Sequence, residues 1–241
     1  MKIGHAVMNE RGTAHGGVPG DSTGKEIRTA EWYEREGGWA QYIEPLDPDM
    51  AERAAEMMER ICADSRFGYD QDKRWSAYQQ IRDHGFDGAG RGDFDCSSLC
   101  IACYIFAGAD MLPRGSTRDA AKLFEQTGRF KVYTDAEHIG GTDMAVRGGM
   151  WCAPGKHICM ALETGSNFAK VDESIDITAP FLVAKGSIRV RKKPVDGKTV
   201  RIMHKYDIAV IKGTDPSGWY KIKDGFVTGN RKYVEVKNER R

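Results

Sequence analysis

The residues best suited to chemistry are Asp95, Cys96, Ser97 and Ser98, which lead into the apolar run Leu99 to Ala107, and His157, which follows the tight turn Pro154-Gly155-Lys156. A cysteine in the first turn of an apolar helix sits where the dipole and free backbone N–H groups favour a thiolate. The same N–H groups can hold an oxyanion during acyl transfer. A nucleophilic cysteine also needs a base close in space, though not in sequence. Of the six histidines, His157 is the best placed, because it opens a strand and its ring can reach over to a helix start. Asp95 has the residue type that caps the helix Cys96 begins. Taken alone, Cys96 also fits a buried cysteine at a helix start.

These side chains depend on elements that the sequence marks. Asp47-Pro48 reads as a helix start, an Asp cap followed by Pro in the first turn. Met50, Ala54, Met57 and Ile61 then recur at helical spacing to about Ser65. Further helices are expected over residues 71–84, stopped by Gly85, over 96–108, and over 116–126. Residues 130–133 read as a strand, and 149–152 with 157–162 as a hairpin. The first 45 residues, punctuated by Gly16-Gly17, Gly20 and Gly37-Gly38, are expected to hold short strands and loops.

The chain has 241 residues, and its 36 Lys and Arg nearly cancel 35 Asp and Glu. The balance conceals a division. From Gly186 onward there are 15 basic and 6 acidic residues, a charge of +9, which leaves −8 for residues 1–185. Opposed halves of this kind suggest two units with different partners, against the plainer alternative of one domain with a solvated surface. No apolar run is long enough for a membrane span. The six cysteines are expected to be mostly reduced, with no disulfide framework. Cys96, Cys100 and Cys103 are spaced as one helix face, which argues against a zinc site built with Cys152, His157 or Cys159, so no metal and no cofactor is expected.

At this point the motifs become specific. Asp95-Cys96-Ser97-Ser98-Leu99 resembles the Asp-Cys-Ser-Gly/Ser-Leu motif of the NlpC-type papain-like peptidases that cut bacterial peptidoglycan. Residues 147–152 followed by 155–162 resemble that family's strand pair, in which the second strand starts with the catalytic His. Residues 20–27 (Gly20-Asp21-Ser22-Thr23-Gly24-Lys25-Glu26-Ile27), with Trp32-Tyr33 after them, are similar to the N-terminal signature of a phage and prophage endolysin branch, as is the segment Phe67 to Gln71.

The resemblance implies an α+β, papain-like cysteine peptidase domain over residues 1–182, with Cys96 as nucleophile and His157 as general base and then general acid. It implies a peptidoglycan substrate cut at a stem-peptide amide. An amidase cutting the sugar–peptide bond, or a non-catalytic wall-binding protein, are the alternatives. Tyr69 corresponds to an upstream Tyr near the oxyanion site, and Asp95, Ser97 and Asp21 complete the set expected around substrate or oxyanion. For Asp21 the alternative is a turn in which its carboxylate bonds backbone amides. The family's orienting third residue has no good match after the His strand. Ile3-Gly4-His5-Ala6 looks like that strand moved to the front by circular permutation, which makes His5 the candidate. A surface His at position 5 is the alternative, with Asp172 and Glu163 in reserve.

In the tail, short β runs at 188–190, 208–212, 219–222 and 226–227 predict a small all-β barrel over residues 186–241. Residues 187–194 and 225–234 resemble the opening and closing motifs of bacterial SH3-like domains, which implies binding to the cell wall, including an anionic wall polymer. RNA stacking on Trp219, Tyr220, Phe226 and Tyr233 is the disfavoured alternative, with no nucleic acid expected. The N-terminus lacks the apolar core of a secretory signal. The expectation is a phage or prophage lysin made in the cytoplasm that acts on the wall after release.

Overall fold

The structure, a computed structural model, describes residues 1–166, 180–203 and 207–237. The chain divides into two compact units, Met1–Ala169 and Lys170–Arg241. In the first unit the elements run β1 (Lys2–Ala6), β2 (Ile27–Glu31), β3 (Gln41–Pro45), α1 (Pro48–Cys62), β4 (Phe67–Tyr69), α2 (Ser76–Gly88) and β5 (Gly92–Phe94). They continue with α3 (Cys96–Phe106), α4 (Ala120–Gln126), β6 (Phe130–Tyr133), α5 (Ala136–Ile139), β7 (Met150–Ala153) and β8 (His157–Ala161). The class is mixed α/β. Six strands form one sheet in the order β2-β1-β8-β7-β3-β6, and β4 pairs with β5 in a parallel pair.

Local chemistry accounts for the helices that matter most. Asp47 accepts from the Asp49 and Met50 amides, and Pro48 opens α1 as its motif predicts. The start of α2 differs from expectation: it begins at Ser76, and the Asp70 and Gln71 amides bond to the Phe94 and Ala14 carbonyls in the loop before it. Gly85 does leave the helical region, at φ 71°, but one more turn follows it. The last predicted helix starts later too, at Ala120, after a turn closed by Asp119 N–H to the Ser116 carbonyl.

The sheet buries both faces. On one side α1 and α3 pack against Ala6, Ile158 and Met160 around Leu99, Ile101, Met58 and Ile61. On the other side Ile3, Trp39, Tyr42, Trp151 and Cys159 form a second cluster. Each large apolar side chain removed from water contributes about 1.5–3 kcal/mol. Gly68 on β4 has a positional reason: a Cβ there would collide with the Gly20 carbonyl, so the Gly-rich loop can lie flat on β4.

The second unit contains β9 (Phe181–Ala184), β10 (Ile188–Arg191), β11 (Thr199–Met203), β12 (Ile208–Val210), β13 (Gly213–Thr214), β14 (Tyr220–Ile222), β15 (Gly225–Val227) and β16 (Val234–Lys237). Its sheets have the orders β11-β10-β15-β14-β13 and β12-β9-β16. Leu182, Ile188, Val190, Met203, Ile222, Val227 and Val234 form its core. β9, which the sequence showed no sign of, pairs with β12 and β16 and so belongs to this unit. No helix among the described residues is long and apolar enough to cross a membrane.

Candidate active site

Cys96 is the first residue of α3 and is 5% exposed. Asp95 holds it there through a capping box. Its Oδ1 accepts from the Ser98 amide at 2.6 Å and the Ser97 hydroxyl at 2.8 Å, and Ser98 Oγ accepts from the Asp95 amide at 2.9 Å. Its Oδ2 accepts from Arg74 Nη1 at 3.0 Å. The Ser97 side chain is thus part of the helix cap, and its amide lies near the Cys96 sulfur.

β5 delivers the chain into this cap, and its parallel partner β4 ends with Tyr69 opposite Phe94. Tyr69 therefore sits beside Cys96, buried, with its hydroxyl accepting from Gln71 Nε2 at 3.1 Å. Burial pushes its pKa up to about 12, and the nearby Cys96 and Asp95 add to that. The Gly-rich signature braces this strand. Asp21 Oδ1 accepts from the Thr23 and Gly24 amides, and its Oδ2 from the Glu26 amide, the turn-forming pattern. Glu26 in turn accepts from the Ser22 and Tyr69 amides. Asp21 shapes the loop, and Glu26 ties it to the strand carrying Tyr69.

The sheet register brings the histidines together. β1 pairs antiparallel with β8, Ile3 opposite Ala161 and Gly4 opposite Met160. Continued by one residue, that register sets His5 opposite Cys159, which makes His157 its diagonal neighbour on the same face. His5 Nδ1 lies 3.3 Å from His157 Nε2, and the rings meet edge-on with centroids 5.5 Å apart. His5 is buried rather than a surface residue, at 3% exposed. Glu163 is occupied elsewhere: it accepts from the Lys2 amide at 2.8 Å and pairs with the terminal ammonium. Asp172 lies outside the described residues.

Electrostatics set the resting state. Burial pushes the Cys96 thiol up to about 12, with help from the Asp95 charge, against the Ile158 and Ser97 amides that favour the thiolate. Burial, then the Arg35 charge, lowers His157 to about 4, and burial with His157 lowers His5 to about 3. At neutral pH the centre is a thiol and two neutral imidazoles. The helix start alone predicts a thiolate; desolvation outweighs it here.

With His157 donating Nε2–H to His5 Nδ1, its own Nδ1 is left as acceptor. His5 then carries its proton on Nε2, a buried atom with no partner. Three residues escaped the sequence reading. Tyr33 and Trp39 pack on the two histidines, and Arg35 lies between them in the chain. The Trp32-Tyr33 pair and Gly37-Gly38 were the signals available. Cys100, Cys103, Cys152 and Cys159 are buried free thiols, and among the described residues no group of His, Cys, Asp or Glu is gathered to hold a metal ion.

The fold is a mixed α/β arrangement with a buried cysteine at the start of α3 and two imidazoles in contact on neighbouring strands. Residues 3–168 match the model of the endolysin-like domain, and the chain belongs to that family. Membership gives it a cell-wall lytic function, a hydrolase with peptidoglycan as substrate. Comparison with curated proteins and with solved structures returns no match.

Proposed function

We propose that the chain is a cysteine peptidoglycan hydrolase of the NlpC-type, papain-like kind, which cuts an amide bond of the stem peptide. The observation that carries this reading is the 3.3 Å contact between His5 Nδ1 and His157 Nε2, with the backbone of the adjacent Ile158 near enough to Cys96 to favour its thiolate. As the Cys96 sulfur attacks the amide carbonyl, His157 Nδ1 takes the thiol proton. Amides of the first turn of α3, with the Tyr69 hydroxyl, stabilise the oxyanion. The imidazolium gives its proton to the leaving amine, and a thioester remains. Water, deprotonated by His157, hydrolyses the thioester and returns the thiol. His5 holds the His157 ring in the tautomer this cycle requires.

Residues 186–241 are read as a bacterial SH3-like domain that holds the enzyme on the wall. Its charge of +9 supports attachment to an anionic wall polymer, and β9 just before it completes its second sheet. Mass spectrometry of purified walls digested by the protein tests the bond assignment. Fragments ending within the stem peptide are expected. Intact stem peptides freed from sugar would instead establish the amidase.

A further inference from the structure

The connection between β2 and β3 folds onto the two histidines. The Tyr33 ring lies 6.0 Å from that of His5, and the Trp39 ring lies 6.1 Å from that of His157. The two aromatic rings are 5.9 Å apart, and Trp39 Nε1 donates to the Tyr33 carbonyl at 3.1 Å. Between them a tight turn is closed by the Gly38 N–H on the Arg35 carbonyl at 2.7 Å. Gly37 and Gly38 adopt φ of 79° and 71°, left-handed conformations that favour glycine. This turn directs its carbonyls back onto the Arg35 side chain, whose Nη1 donates to Glu36 O at 2.6 Å and Gly38 O at 3.4 Å.

The guanidinium is therefore held on its own turn, half-buried, and near enough to His157 for its charge to act there. Its hydrogen bonds among the described residues go to carbonyls and none to a carboxylate. Its charge also opposes protonation of His157. That opposition works against the proposed cycle, because the imidazole must accept the Cys96 proton. An anion seated on Arg35 would cancel the opposition and give the half-buried cation a counter-charge, which its two carbonyl partners do not supply.

We infer that Arg35 is a specificity-determining residue, which receives a carboxylate of the peptide substrate beside the scissile amide. The inference rests on the Cys96–His157 reading. Guanidinium N–H groups match a carboxylate in a fork geometry that a carboxamide cannot reproduce, since half of its polar edge is a donor. In a stem peptide the α-carboxylate of the D-glutamyl residue is such a group, and its carboxamide is the matched control.

Two readouts separate the inference from the reading beneath it. In turnover, kcat/KM is compared for stem-peptide substrates bearing the carboxylate or the carboxamide. Wild type is expected to prefer the acid by about 10- to 100-fold, the range of one hydrogen-bonded charged contact. Arg35→Gln is expected to bring the ratio within about threefold, and Arg35→Lys to restore part of it. In binding, calorimetry on Cys96→Ala and on Cys96→Ala/Arg35→Gln uses the same two peptides, and the same change in preference is expected without any turnover. An equal preference in wild type, or a preference that survives Arg35→Gln, overturns the role of Arg35. A loss in Arg35→Gln that is equal for both peptides, with a shifted pH profile, also overturns it, because it assigns Arg35 to the electrostatics of His157 alone. Selective binding without turnover in wild type would leave the anion site standing and remove the catalytic reading.

Discussion

Replacing His5 by Ala removes the acceptor that lies 3.3 Å from His157 Nε2. In the productive tautomer the His157 N–H would then be buried without a partner, which costs about 1–3 kcal/mol. The ring escapes that cost by flipping or by moving its proton to Nδ1, and in the proposed mechanism either change removes the base from Cys96. At 1.36 kcal/mol per factor of ten, kcat should fall by about 10- to 100-fold. Stability should change little, because truncation opens a small cavity but also deletes the unpartnered His5 Nε2. His5→Asn is the informative companion. Its side-chain oxygen sits on Cγ as the His Nδ1 does, so it keeps the acceptor and dispenses with the orphan atom. Release of amino groups from soluble wall fragments, with thermal melting on the same samples, measures both effects. Activity of His5→Ala within about twofold of wild type, at unchanged melting temperature, would refute the tautomer argument. So would a His5→Asn variant no better than Ala.

Two further outcomes follow from the charges around Cys96. Both histidines have folded pKa values below their ordinary one, about 3 for His5 and about 4 for His157, so the unfolded chain binds the extra protons. The stability they contribute is present above about pH 6.5 and is lost as pH falls toward 4, on the order of a few kcal/mol; denaturant melts at stepped pH check the sign. Asp95→Ala should cost about 1–2 kcal/mol through the lost cap, whereas Asp95→Asn keeps a capping oxygen, removes the charge that raises the Cys96 pKa, and should speed alkylation of Cys96 by iodoacetamide; melting curves and alkylation rates against pH read both.

What the sequence revealed was what local rules determine. Asp47-Pro48 and Asp95-Cys96 announce helix starts because a cap and its helix are neighbours in the chain. The hairpin Met150–Ala153 with His157–Ala161 follows from its turn. The meeting of His5 and His157 depends on β1 pairing with β8 across 152 positions, and only the likeness of Ile3-Gly4-His5-Ala6 to a displaced family strand pointed to it. Arg35 and Trp39 carry no motif; their place at the site follows from the sheet order β2-β1-β8, which no local pattern encodes. The thiol state of Cys96 was equally hidden, since it is set by burial under a sheet rather than by the helix start. In the tail, β9 and β11 went unread because Phe181–Ala184 has no alternation and Thr199–Met203 is largely exposed.

The central claim is that Cys96 performs the cleavage, and purified peptidoglycan digested by the full chain tests it most directly. With matched amounts of folded wild type and Cys96→Ala, new amino groups should accumulate with wild type and stay at background with the variant. Undiminished release by Cys96→Ala would contradict the account.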